Sequence, residues 1–191
     1  MTAAPESFRS PEGGWTTDDL DGLPDEGRRR FELLDGNLIM SPSPTRLHQS
    51  IALMLGAALN ETCPPDLDVT QGVEVRMSRR RSFIPDLLVT ELDASLRNPA
   101  KYQPNEVLLV VEIVSEGSRS IDRVLKPTVY AEADIPYFWR IETEAGIEVH
   151  AYKLDPVKQV YVEQARMTDG ILLPEPWEID IPLARITPRG R

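Results

Sequence analysis

Two carboxylates in this 191-residue chain stand where strand-like sequence leaves little room for charge. Asp86 interrupts IPDLLVT, and Glu112 interrupts VLLVVEI, the most apolar run of the protein. Burying an unpaired carboxylate is costly, so charges are seldom placed in central strands. Two carboxylates on neighbouring strands share that cost by binding a hard divalent cation through oxygen. The plainer reading is that each marks a strand end and faces solvent. Behind Glu112 come Ser115, which would cap a following helix, and then Asp122 and Lys126. The last two are spaced i, i+4, an ordinary helix ion pair. The functional alternative is that this helix packs back across the sheet and aims Lys126 at the carboxylates. A lysine there orients a water nucleophile and offsets negative charge on a phosphoryl group in the transition state.

The elements that must position these groups are legible in the hydrophobic pattern. Residues 1–14 are rich in Pro, Gly and Ser and read as a loose tail. Residues 15–191 read as one domain. Thr16 or Thr17 caps a short helix through Leu20. Asp35-Gly36 separates two apolar runs and predicts a hairpin of strands 30–34 and 37–41. Leu47, Ile51, Leu55, Ala58 and Leu59 make an apolar stripe on a helix over about 45–60. Strands are expected at 68–77, 83–90 and 106–115, the last apolar on both faces as in a covered central strand. The link 91–105 is expected to be irregular. A helix over 119–133 carries Ile121, Leu125, Val129 and Ala133 on one side, with a kink or late start imposed by Pro127. Strands follow at 136–141, 146–152 and 158–164, and residues 177–186 give only weak signals. The expected fold class is α/β, a central mixed sheet flanked by helices.

Composition narrows the functions. One cysteine, Cys63, excludes an intramolecular disulfide framework and any multi-cysteine zinc site. The opening residues contain no apolar run, and the longest apolar stretch, 51–59, is half of what a bilayer requires. A cytoplasmic protein with no membrane partner is expected. Lys plus Arg is 21 and Asp plus Glu 31, a net charge of −10, which counts against a dedicated high-affinity nucleic-acid binder. The average conceals two clusters, Arg28-Arg29-Arg30 and Arg79-Arg80-Arg81. Either is a candidate for local phosphate contacts, although arginine triplets are more often solvated faces.

The ordered set FELLDGNLIMSPSPTRLHQ, IPDLLVT and VLLVVEIVSEGSRSIDRVLKPTVYAEADIPYFWRIE resembles the Uma-two family of bacterial endonucleases, of the restriction-endonuclease-like superfamily. The resemblance spans about residues 30–155. It implies a restriction-endonuclease-like α/β domain and a magnesium- or manganese-dependent endonuclease acting on nucleic acid, with DNA the expected polymer and a homodimer an expected assembly. Pro85-Asp86 matches the Pro-Asp motif, making Asp86 a metal ligand, and Glu112 matches the acidic residue of the next motif. Val114 stands where the superfamily commonly has lysine, and Lys126 on the following helix matches the lysine's place in this family. Glu32 matches an upstream acidic residue that completes the metal shell, and His48 a histidine at the start of the first long helix. Asp122 would steer Lys126. Asp134 departs from the family's usual glycine. The alternative is a non-catalytic scaffold that keeps the fold for binding, which the net charge and Pro127 favour.

Overall fold

A computed structural model of the chain describes residues 10–23, 30–41, 44–115, 117 and 119–189. Residues 1–9 of the expected tail, and Arg28 and Arg29 of the first arginine cluster, lie outside these. Helix α1 (Thr17–Asp21) is capped by Thr16 and leads to the hairpin β1 (Arg30–Leu34) and β2 (Asn37–Ser41). Asp35 and Gly36 both have positive φ, 50° and 80°, the conformation that a tight two-residue hairpin demands. The end of the expected tail is docked on this turn. Trp15 is buried and donates its amide to Gly36 O at 2.8 Å, and Gly14 lies so close to Gly36 that a Cβ would sit 3.0 Å from its carbonyl oxygen.

Helix α2 (Arg46–Thr62) starts at a Thr45 cap and buries Ile51, Ala52, Leu55, Ala58 and Leu59. His48 is buried on the same side, three residues before Ile51, and is therefore carried inward with the stripe.

The expected strand at 68–77 divides into β3 (Leu67–Thr70) and β4 (Glu74–Ser78), which belong to different sheets. The expected strand at 83–90 divides in the same way, into β5 (Arg81–Phe83) and β6 (Leu87–Glu91). Pro85 cannot donate to a ladder, so the chain changes sheets there, and Asp86 sits on the crossing rather than within a strand. The link after β6 is more regular than its prolines suggest. It contains α3 (Leu92–Leu96) and β7 (Lys101–Tyr102). Strand β8 (Val107–Ile113) follows, then a π-helical turn (Ile121–Leu125) running into α4 (Lys126–Glu132).

Strands β9 (Tyr137–Glu142), β10 (Glu148–Asp155) and β11 (Val160–Met167) complete a six-stranded sheet in the order β11-β10-β9-β8-β6-β3. It is the mixed sheet expected from sequence: β8 and β9 are parallel, joined across the α4 helix, and the other pairs are antiparallel. A second, five-stranded sheet has the order β2-β1-β5-β4-β7. The weakly patterned C-terminal region forms a hairpin, β12 (Gly170–Leu173) and β13 (Ile179–Pro182), whose Ile171, Leu173, Ile179 and Ile181 enter the core beside α2. Of its strands only IDI alternates apolar and polar residues, and ILL is apolar throughout, so the sequence signal is weak.

The helix before β9 buries only part of the stripe its period suggests: Val129 is in the core, and Ile121 and Ala133 are half-buried. Leu125 and Val124 are exposed, whereas Asp122 and Lys126 are buried. The π turn is the cause: Lys126 N–H bonds to Ile121 O, five residues back, and rotates the helix face. Pro127, which has no amide hydrogen to contribute, follows directly.

A buried acidic cluster around Lys126

Glu32 from β1, Asp86 from the β5–β6 crossing, Glu112 from β8 and Asp122 from the π turn converge on Lys126. The lysine Nζ lies 3.0 Å from Glu112 Oε1, 3.1 Å from Glu112 Oε2, 3.2 Å from Glu32 Oε1 and 3.4 Å from Asp122 Oδ1. It also lies 5.6 Å from the centre of the Phe83 ring. Lys126 is therefore more than the helix partner of Asp122. It is the cation on which three elements meet, and it is 5% exposed, beside Glu112 at 2% and Asp86 at 8%. Glu32 Oε1 also accepts the Ile84 amide at 2.9 Å, which ties the hairpin to the sheet crossing.

Asp86 is oriented by two donors on the same oxygen. Its Oδ2 accepts the Ile113 amide at 2.8 Å and lies 3.0 Å from His48 Nε2. Because Ile113 follows Glu112 directly, the first bond holds the two carboxylates side by side, as neighbouring β6 and β8 predict. His48 Nδ1 is buried with no hydrogen-bond partner among the described residues. Tyr130, one turn after Lys126 on α4, donates its hydroxyl to Glu112 Oε1 at 2.6 Å and packs edge-on against Phe83. Tyr130 is part of the motif that carries the family resemblance but has no role in the sequence-based site; its i+4 spacing from Lys126 is the signal that places both on one helix face.

These environments push the groups apart. Burial raises Glu112 well above the ordinary carboxylate range; Lys126 opposes this, and Asp86, Asp122 and Glu32 add to it. Burial alone would also raise Asp86, but the His48 and Ile113 hydrogen bonds and Lys126 together hold it below its usual value. Burial acts to lower Lys126, yet Glu112, Glu32, Asp122 and Asp86 outweigh it and raise the lysine well above its ordinary value. Lys126 is thus a permanent cation at neutral pH and not a proton acceptor. Burial, then Glu112, raises Tyr130 well above its ordinary value, so it stays a hydroxyl donor.

The remaining candidates lie elsewhere. Ser115 is half-buried just beyond β8, four residues before the helix starts at 119, too far to cap it. Of the arginine triplet, Arg79 is exposed and 4.0 Å from Asp18. Arg80 lies over the hairpin turn, donating to Asp35 O at 3.3 Å, and Arg81 bridges Asp35 and Glu132. Arg81 is thus paired within the protein, whereas exposed Arg80 places one donor on the hairpin turn.

Among the described residues, no three His, Cys, Asp or Glu side chains are arranged to hold a metal ion. The donor chemistry of Asp86 and Glu112 nevertheless suits magnesium, which is commonly held by one or two carboxylates together with substrate phosphate and water. Glu32 is engaged instead with Lys126 and the Ile84 amide.

The fold and this cluster define a mixed α/β protein with an acidic site built around a lysine at the junction of two sheets. The chain belongs to the Uma2 family, described as "Putative restriction endonuclease", whose model matches residues 17–184. It is also similar to a crystal structure described as a "putative nuclease belonging to DUF820" from Anabaena variabilis ATCC 29413. That match has a TM-score of 0.71 at 16% identity and covers 90% of this chain and 96% of the other. At that identity the likeness establishes a shared fold. No curated protein matches the chain. No helix among the described residues is long and apolar enough to cross a membrane.

Proposed function

We propose that this protein is a metal-dependent endonuclease that hydrolyses phosphodiester bonds of nucleic acid, with DNA the expected polymer. The observation that supports it most is that the Asp86 carboxylate accepts the backbone amide next to Glu112, while a protonated Lys126 sits on the Glu112 oxygens. Asp86 and Glu112 would hold magnesium or manganese, which supplies Lewis-acid polarisation of a phosphoryl oxygen when bound. His48 and the Ile113 amide fix Asp86, and Tyr130 fixes Glu112. Glu32 and Asp122 hold Lys126 in place, so its charge is preorganised against the negative charge that develops on phosphorus. Lys126 acts as a fixed cation and not as a base, its three donors being held by Glu112, Glu32 and Asp122.

The test is cleavage of plasmid and single-stranded DNA in magnesium, manganese or EDTA. Cleavage in either metal, none in EDTA and none by Asp86→Ala is the expected result. No cleavage of either substrate by the wild type in either metal overturns the reading. A second reading, a non-catalytic scaffold, is favoured by the near-complete burial of Asp86, Glu112 and Lys126. Such a network can act by specifying the packing of two sheets rather than by chemistry. Binding of nucleic acid without metal-dependent cleavage would select it.

A further inference from the structure

The face of the six-stranded sheet that carries Glu112 continues past α4. In the parallel pair Glu112 lies opposite Arg140, which in turn lies opposite His150 on β10, and His150 opposite Arg166 on β11. Cross-strand neighbours are about 4.8 Å apart and point to one face, so this polar row leads from the acidic cluster across the sheet. Beside it, between the helix and β10–β11, is an open cleft of ≈ 320 Å³. That is at the small end of the range of ligand pockets, about 300–1,000 Å³.

The cleft has an apolar wall and a cationic end. Val124 and Pro127 line it from the helix, Phe138 and Tyr152 from the sheet, and Val160 and Tyr161 from β11. Val124 is 62% exposed and Val160 48%, so apolar surface on both lips lacks a partner. Arg123 and Arg140 stand at the other end. Arg123 grips Glu142 with two hydrogen bonds of 2.9 and 2.8 Å, and Arg140 Nε lies 3.0 Å from the same carboxylate. Among the described residues that line the cleft these two arginines carry the charge, and Glu142, the carboxylate they share, is not one of the lining residues. The buried Nε of Arg140 makes no aligned hydrogen bond among the described residues. The Arg140 guanidinium also lies 5.5 Å over the Tyr152 ring. The π turn that swings Lys126 inward is what leaves Val124 facing outward, so one irregularity in the helix builds both places.

We propose that this cleft holds one unstacked nucleobase of a single-stranded substrate, with Arg123 and Arg140 on its phosphate. The inference deepens the nuclease reading and rests on it. Aromatic and apolar walls accept any base through its π face, and arginines supply the sequence-independent anion contact. Arg140 lies opposite Glu112 on the neighbouring strand, so the cleft and the acidic cluster share one face of the sheet. A paired and stacked duplex cannot offer a base there without local opening.

The experiment is fluorescence anisotropy of a labelled 12-nucleotide oligothymidylate, of an abasic 12-mer of equal charge and of a 12-base-pair duplex. Wild-type protein is used in EDTA and, separately, in calcium. The oligothymidylate should bind at least about tenfold more tightly than the abasic strand. Val124→Glu and Val160→Glu, both at exposed positions, should remove that ratio without lowering the melting temperature. Thr128→Trp fills the cleft from the exposed helix face without adding charge and should remove it too. Equal binding of base-bearing and abasic strands, or a ratio untouched by all three variants, overturns the proposal. If metal-dependent cleavage persists in that case, the nuclease reading stands alone. Base-dependent binding without any cleavage keeps the cleft and removes the nuclease. Loss of both overturns both.

Discussion

On one face of β8, Leu109, Val111 and Ile113 pack with Ile51, Leu55 and Leu59 of α2 and with the C-terminal hairpin. On the other face of the same strand, between Val111 and Ile113, Glu112 lies among a lysine, a tyrosine and three further acids. Both faces are dry. The first is stabilised by apolar area removed from water and is tolerant of exchange among residues of similar size. The second is held by mutual compensation, in which each charge is tolerable only while its partners remain. Neighbouring residues in one strand therefore answer to different physics, and perturbations that separate the two show which face does chemistry.

The largest effect is expected at Lys126. Lys126→Met should reduce cleavage at least a hundredfold, about 2.7 kcal/mol of transition-state stabilisation. Sequence spacing alone suggested a helix pair that contributes only tenths to stability. The burial of Lys126 among acids changes that expectation to a loss of about 3–5 kcal/mol in chemical denaturation at neutral pH. Ile113→Ala on the opposite face should cost a similar amount, about 2–5 kcal/mol, from cavity and lost burial. Acid should separate them: lowering the pH protonates the abandoned carboxylates and restores part of the Lys126→Met loss, but none of the loss in Ile113→Ala.

Metal should act on the charged face alone. At a hundredfold excess over Kd, magnesium or manganese should stabilise the wild type by about 2.7 kcal/mol, seen as a rise in melting temperature. The rise should vanish in Asp86→Ala and persist in Ile113→Ala and in an exposed control such as Glu61→Ala. A rise that survives Asp86→Ala would place the cation elsewhere.

Titration gives a smaller signature. Glu112 is raised above its ordinary 4.5, so the folded chain keeps a proton that the unfolded chain releases. Its contribution is complete below 4.5 and is lost as the pH rises through the raised value. Asp86 is lowered, so its contribution is present above 3.8 and is lost as the pH falls through the lower value. Metal-free Glu112→Gln should lose the decline above 4.5 and keep the acid-side loss, as measured by denaturant unfolding across pH. An unchanged decline would assign it to another group.

The smallest effect is expected at the surface. Arg79→Ala should alter stability by no more than about 0.5 kcal/mol. If Arg79 contacts phosphate, the slope of log affinity against log salt should fall by about 1, uniformly over sequences.

Local pattern accounts for much of this protein. The Asp35-Gly36 hairpin, the α2 stripe and β8 follow from turn chemistry and hydrophobic period, which depend on near neighbours alone. Asp86 and Glu112 stood out because charge in apolar sequence has few explanations, and the family resemblance ordered them with Lys126. Three things were decided only by tertiary structure. Pro85 divides one apparent strand between two sheets, and no local signal says which partners each half will find. The π turn buries Asp122 and Lys126 and exposes Leu125, interrupting the apolar stripe before Val129, because a buried cluster of acids demands a cation more strongly than the core needs one leucine. The burial of His48 and the bond of Tyr130 to Glu112 depend on where α2 and α4 land on the sheet, which is a property of packing between segments remote in the chain.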